Sequence, residues 1–247
     1  MTPTQPPAPA PAPTPTSTLN LLCAGAAQGL VKALAPQLRA ESGAEIAGRF
    51  GAVGAMKDAL LAGEACDLMV LTDAMVSALI ADGQLRAEAR APLGRVRTGV
   101  AVRSGTPAPD VSTPEALAAA LRAADAIHFP DPERATAGIH FLAVLRQLGL
   151  DQTLAPRFRT FPNGATAMRE LAASPAANPI GCTQVTEILY TEGVDLVGLL
   201  PPQFELATVY TAAVTANAAD PALAARFIGL LTGPEAAELR ARSGFER

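Results

Sequence analysis

The sequence predicts an α/β protein whose parallel sheets are covered by helices on both faces, and three observations carry that expectation. From residue 19 onward short apolar runs alternate with helical patterns, the text of strand and crossover helix. Glycines 43, 63, 83 and 149 stand just past helical patterns, where a left-handed cap is wanted. The apolar content of 49% is largely alanine with only 4% aromatics and no Trp, which suits close packing of helix on sheet. A chain of 247 residues builds such a core without disulfide or metal staples.

Strands are expected at 19–24 (LNLLCA), 67–72 (DLMVLT), 97–102 (RTGVAV), 126–129 (AIHF), 179–183 (PIGCT) and 194–199 (VDLVGL). Helical patterns fall at 27–40, where Leu30, Leu34 and Leu38 recur every fourth residue, and at 54–62, 74–81, 115–124, 138–148 and 164–173. Pro36 lies inside the first of these and should kink it or shift its start. After LATVYTAAVT at 206–215 come two amphipathic helices, 220–231 and 234–242, with no further strand. One doubly wound sheet, or two smaller ones with the last segment folding back on the first, both accommodate this order.

The first eighteen residues, MTPTQPPAPAPAPTPTST, predict an extended, disordered tail, because proline disfavours helix and ladder alike. They have neither the basic start nor the continuous apolar run of a secretory signal, so the sequence as it stands is expected in the cytoplasm, and in the periplasm if its true start lies upstream. No apolar stretch reaches the roughly 18 residues of a membrane helix. A net charge of −4 without a basic run argues against nucleic acid as a partner. Cys23, Cys66 and Cys182 lie far apart inside apolar runs and read as buried small side chains. With only His128 and His140 besides, no metal site is expected. No GxSxG, Walker or GxGxxG motif is present, so no cofactor is expected either.

Open parallel sheets bind ligands beyond the carboxyl ends of their strands, where helix starts present free N–H groups. Four such loops share small residues: AGAAQ at 24–28, GAVGAM at 51–56, ERATAG at 133–138 and NGATAM at 163–168. A fifth, CTQVTE at 182–187, also follows a strand and opens a helix. Their backbone amides and helix dipoles together suit a small anion. Candidate contacts are Ala26, Ala27 and Gln28 in the first loop, and Val53, Gly54, Ala55 and Lys57 in the second. Arg134, Ala135, Thr136 and Gly138 follow in the third, and Asn163, Gly164, Ala165 and Thr166 in the fourth; the fifth offers Thr183 and Gln184. Asp131 and Glu133 read as carboxylates at a helix start.

The order of these motifs resembles the molybdate-binding proteins of bacterial uptake systems, within the two-lobed periplasmic solute-binding proteins. The residues that carry it are CAGAAQGLVKALAPQL, FGAVGAMKDALLAGEACDLMVLTD, DPERATAG, GATAMRELAAS and the ending from Tyr210 to Glu246, so nearly everything after residue 19 is covered. The resemblance implies a type II periplasmic-binding-protein-like fold with a mainly parallel sheet in each lobe. Lobe 1 would be 19–99 and 206–247 and lobe 2 100–205, joined by crossing strands near 98–102 and 205–210. It also implies a monomer that takes a small anionic ligand and hands it to an ABC permease.

In that family an oxyanion is held by two serine hydroxyls, an alanine amide, a second loop amide and a tyrosine hydroxyl. Carried over, the serines fall near Ala26 and at Val53 or Gly54, the alanine at Ala135, the other amide at Gly164 or Ala165, and the tyrosine at Gln184. The alanine is kept while both hydroxyls and the phenol are lost, which argues against molybdate and for a wider cleft that suits a di- or tricarboxylate. The same family includes an aconitate isomerase, which interconverts trans- and cis-aconitate by allylic proton transfer. For that chemistry His140 is the first candidate base and Glu187 the second.

Overall fold

The computed structural model describes residues 17–247, so most of the proline-rich tail lies outside the described residues. Thr18, which the sequence assigns to that tail, instead opens the first strand, and the Ser17 carbonyl accepts the Glu45 N–H at 2.9 Å. The strands are β1 (Thr18–Ala24), β2 (Glu45–Gly51), β3 (Leu68–Thr72), β4 (Leu85–Arg103), β5 (Ala126–Pro130), β6 (Phe158–Phe161), β7 (Pro179–Gln184), β8 (Val194–Leu199) and β9 (Ala207–Thr215). The helices are α1 (Gln28–Ser42), α2 (Val53–Leu61), α3 (Asp73–Ala81), α4 (Pro114–Ala123), α5 (Thr136–Gln147), α6 (Gly164–Ala172), α7 (Val185–Tyr190), α8 (Pro221–Thr232) and α9 (Ala237–Arg242).

The strands form two sheets that share β4. In the first, β2, β1 and β3 run parallel, and β9 is antiparallel to β3 and to the Leu85–Arg97 part of β4. In the second, β6, β5 and β7 run parallel, and the Thr98–Arg103 part of β4 pairs antiparallel with β7 and β8. Each sheet therefore combines three parallel strands with antiparallel neighbours. A single unbroken strand passes from one sheet to the other, and the chain returns through the 3₁₀ turn Pro202–Phe204 that leads into β9.

Two strands went unread in the sequence, and both are sheet edges. β2 carries EIAGRFG, with little of it buried, and β6 is the four-residue FRTF. An edge strand exposed on both faces has no apolar alternation to reveal it. The first half of β4 was missed for the same reason, since LRAEARAP alternates arginine with alanine and half-exposed positions.

Pro36 does not shift the start of α1, which runs from Gln28 to Ser42 with the proline inside it, after a 3₁₀ turn at Gly25–Ala27. Leu30, Leu34 and Leu38 form its buried stripe, and that packing outweighs the one hydrogen bond the proline removes. At its end Gly43 takes φ of 73°, and its N–H reaches the Arg39 carbonyl at 2.8 Å. The expected helix at 234–242 splits into the 3₁₀ turn Pro234–Ala236 and the short α9.

The C-terminal segment folds back on the first sheet. Phe227 and Leu231 of α8 and Phe245 join Leu19, Leu22, Leu68 and Val70 in one core, where truncating Phe227 costs about 3–5 kcal/mol. Asp67 ties this return in place: its buried carboxylate accepts the Asn20 N–H at 2.8 Å and the Ala219 N–H at 2.6 Å. The second sheet has its own core, in which the Phe129 ring meets Phe141 and Phe158 edge-on at 5.4 and 5.3 Å. The three cysteines are buried as expected, and burial pushes the Cys66 thiol up to about 12 and those of Cys23 and Cys182 further.

Candidate functional site

Five strands end at one place, and each is followed by a helix. β1 and β2 of the first sheet lead into α1 and α2, while β5, β6 and β7 of the second lead into α5, α6 and α7. Their turns enclose a cavity lined by Ala24–Ala26 and Gly51–Val53 from one side and by Pro130, Ala135–Ala137, Asn163, Gly164, Gln184 and Glu187 from the other, with Tyr210 of β9 as its floor. The open space is only about 20 Å³ as traced by the centre of a water molecule, room for one or two waters. The two sides are closed against each other. The Gly54 N–H donates to the Arg134 carbonyl at 3.3 Å, and the Arg134 guanidinium pairs with Asp58 of α2.

Of the residues singled out in the sequence, Ala26, Val53, Ala135, Thr136, Asn163, Gly164, Gln184 and Glu187 line this cavity. Thr183 and Ala165 stand directly behind it. The Thr183 hydroxyl donates to the Glu187 carboxylate at 2.6 Å, and the Ala165 N–H points at the same carboxyl. Ala27 and Ala55 pack into or against the core of the first sheet, and Gln28 is buried in the first turn of α1. Gly138 is pressed onto the carbonyls of Pro130 and Asp131, so its role is close packing of helix on strand. Asp131 caps the same turn, its carboxylate accepting the N–H groups of Glu133 and Arg134 at 2.7 and 3.1 Å.

Other candidates lie elsewhere. Thr166 turns outward, its hydroxyl accepting from Arg169 at 3.0 Å. Lys57 and Gly54 are not among the lining residues, and Arg134 spends its charge on Asp58 at the rim. His140, the expected base, sits one turn into α5 with its Nε2 at 2.7 Å from the Phe204 carbonyl, on the side of the helix that faces the chain's return rather than the cavity. That contact gives the imidazole a structural partner and leaves it no line to the site.

Tyr210 is the residue the sequence reading passed over. It stood inside an apolar strand pattern, with nothing local to separate it from core. In the structure its phenol is buried in the cavity floor, against the side chains of Gln184 and Thr136. Burial, with the Glu187 carboxylate next, drives its hydroxyl well above the ordinary phenol range, so it serves as a neutral hydrogen-bond group. A buried phenol thus reaches the cavity from β9. Gln184 itself is buried with both amide atoms unpartnered within the protein, a donor and an acceptor left over at the cavity wall.

Glu187 dominates the electrostatics. Its carboxyl is buried, and burial raises it above the ordinary carboxylate range; the Thr183 hydroxyl and the N–H groups of Ala165, Gln184 and Gly164 pull the other way. None of the residues lining the cavity is a lysine, arginine or histidine. A carboxyl held on helix-start amides, without a cationic partner, can accept, hold or return a proton inside a closed space.

These features agree with what the chain is similar to. It is 27% identical to an aconitate isomerase from a Pseudomonas species over 236 residues, which spans 92% of this chain and 87% of the relative. The periplasmic molybdate-binding protein of Azotobacter vinelandii superposes with a TM-score of 0.77 at 20% identity, covering 93% of this chain and 99% of that one. The sulfate-binding protein of Mycobacterium tuberculosis gives 0.70 at 17% identity, covering 93% and 86%. Both share the two-lobed fold of this chain. The sequence model of bacterial extracellular solute-binding proteins matches residues 19–246, and the chain belongs to that family.

Proposed function

We propose that this protein is a receptor for a small carboxylate anion, which it encloses between its two sheets. The observation that carries this reading is the convergence of five strand-to-helix turns on one cavity, with small residues from both sides and hardly any space left when closed. Neutral donors and helix dipoles hold an anion without a lysine or arginine. Entry requires the sides to part, because a tricarboxylate does not fit the closed space. In this reading the chain works outside the cytoplasmic membrane and passes its ligand to a membrane permease.

A second reading, an isomerase of trans- and cis-aconitate, is favoured by one specific feature, the Glu187 carboxyl inside the cavity, and by the name of the 27% identical relative. Glu187 would remove a proton from the methylene carbon, the charge would spread over the allylic system toward the amide-bound carboxylates, and the same proton would return at the other allylic carbon. His140 takes no part in this scheme.

Calorimetry with molybdate, tungstate, sulfate, citrate and each aconitate, followed by proton NMR of the aconitate mixtures, tests both. Binding of a carboxylate without conversion supports the receptor. Conversion of trans- to cis-aconitate establishes the isomerase, and no binding by any of these anions overturns both.

A further inference from the structure

The cavity has an unusual occupant for an anion site: a carboxyl of the protein's own. The Thr183 hydroxyl donates to the Glu187 carboxyl at 2.6 Å, and the N–H groups of Gly164 and Ala165, which open α6, and of Gln184, which precedes α7, favour its charged form against burial. From the opposite sheet Gly25 approaches the other oxygen so closely that a Cβ there would collide with it, and a Cβ on Gly164 would collide with Glu187 and Thr183 together. Two glycines are therefore spent on making room for this one carboxyl. The titratable groups that face it are the Tyr210 hydroxyl from β9 and, behind that, the Cys23 thiol of β1; no cationic side chain lines the space.

Two carboxylates that share a small enclosed volume cannot both stay ionised. A bound anion has to meet Glu187 across a hydrogen. We propose that Glu187 is the specificity-determining residue of the site: a ligand is admitted only with one hydrogen bridging the Glu187 carboxyl and a ligand oxygen. That hydrogen comes either from a hydroxyl or acid proton of the ligand or from solvent, in which case binding takes up a proton. A fully ionised tetrahedral oxyanion with no proton of its own is thereby penalised at neutral and alkaline pH. The inference rests on the anion-receptor reading and deepens it, since it names the class of anion the cleft selects.

The experiment is calorimetry of the whole chain with sulfate, which carries no proton across the range, and with trans-aconitate corrected for its own titration, from about pH 5 to about pH 9, in two buffers of different protonation heat. The expected result is uptake of one proton per bound ion and an affinity that falls about tenfold per pH unit once the carboxyl has ionised. Glu187→Gln, isosteric and unable to ionise, should bind both anions with a flat pH profile and no proton uptake. A flat profile in the wild-type protein overturns the proposal, and so does proton uptake that persists in Glu187→Gln. Binding by the variant alone supports it, as the blocking charge has then been removed. If neither protein binds either anion, the receptor reading itself falls and this inference with it. A misfolded variant leaves the wild-type pH profile and buffer comparison to decide.

Discussion

Helices that begin at the cavity and helices that begin elsewhere satisfy their first N–H groups in different ways. Away from it, α3, α4 and α8 are capped by side chains, Thr72 accepting from Met75 at 3.4 Å, Thr113 from Ala116 at 3.1 Å and Asp220 from Leu223 at 2.9 Å, while the short α9 continues a 3₁₀ turn without a side-chain cap. At the cavity, α1, α2 and α5 follow Ala27, Ala52 and Ala135, and α7 follows Gln184, none with a side-chain cap. Since alanine in place of a capping residue costs about 1 kcal/mol, the two alanine starts that do not continue a 3₁₀ turn, α2 and α5, forgo on the order of 2 kcal/mol. The exception, α6, is capped by Asn163 at 2.8 Å, and its first amides are given to Glu187. Donors withheld from internal use are donors kept for something else, a stability cost accepted at a binding site.

The sharpest way to break this comparison is to install a charged cap at one cavity start. Ala135→Asp should satisfy the first amides of α5 and repel an incoming anion, lowering affinity by about a hundredfold, some 3 kcal/mol. Thr113→Asp exchanges one good cap for another on α4 and should leave affinity untouched. Equal losses in both variants, read by calorimetry, would mean that the uncapped starts have nothing to do with the ligand.

How far the site was legible follows from the same contrast. Clustered alanine and glycine marked four of the five turns, because the backbone requirement is written in small residues at fixed places, and the fifth was marked only by the apolar run before it. Glu187 was legible as an acid near a turn, yet its placement depends on Gly25 and Gly164, which lie about 160 and 20 residues away in the chain and clear the space from opposite sheets. Tyr210 and His140 failed in opposite directions. A phenol inside an apolar strand gives no sign that its ring ends at a cavity, and a histidine just past a loop of small residues gives no sign that Phe204 will claim it. Along the fold, buried strands were readable and the edges β2 and β6 were not, since periodicity records burial and an edge has little.

A second test uses pH. Burial raises the Glu187 carboxyl, so the folded protein keeps its proton where the unfolded chain has lost it. The stability this group contributes is complete below the ordinary carboxylate range and is lost as pH rises through the higher folded value, at no more than about 1.4 kcal/mol per pH unit. Glu187→Gln removes that loss, so its melting temperature should gain on the wild type with rising pH. A constant difference between the two from about pH 5 to about pH 8 would show that the carboxyl is not held in the closed space.

Caps away from the cavity should behave as ordinary stability elements. Thr113→Ala is expected to cost about 1 kcal/mol in chemical unfolding while the affinity for any anion stays unchanged. A shift in affinity would indicate that α4 communicates with the cleft, which nothing in its packing against the second sheet suggests.

The smallest effect belongs to Arg134, and it separates two roles for the same side chain. Its pair with Asp58 joins the two sides at the rim, but both side chains are more than half exposed, so Arg134→Ala should cost less than about 0.5 kcal/mol of stability. As a latch, Arg134 biases closure only, and its loss should weaken an anion by no more than about twofold, with Asp58→Ala producing the same change. As a ligand contact, which is how the sequence presents it, it would lose far more, and Asp58→Ala would strengthen binding by freeing the guanidinium. Opposite signs in the two variants therefore assign Arg134 to the ligand, and matching signs assign it to the latch.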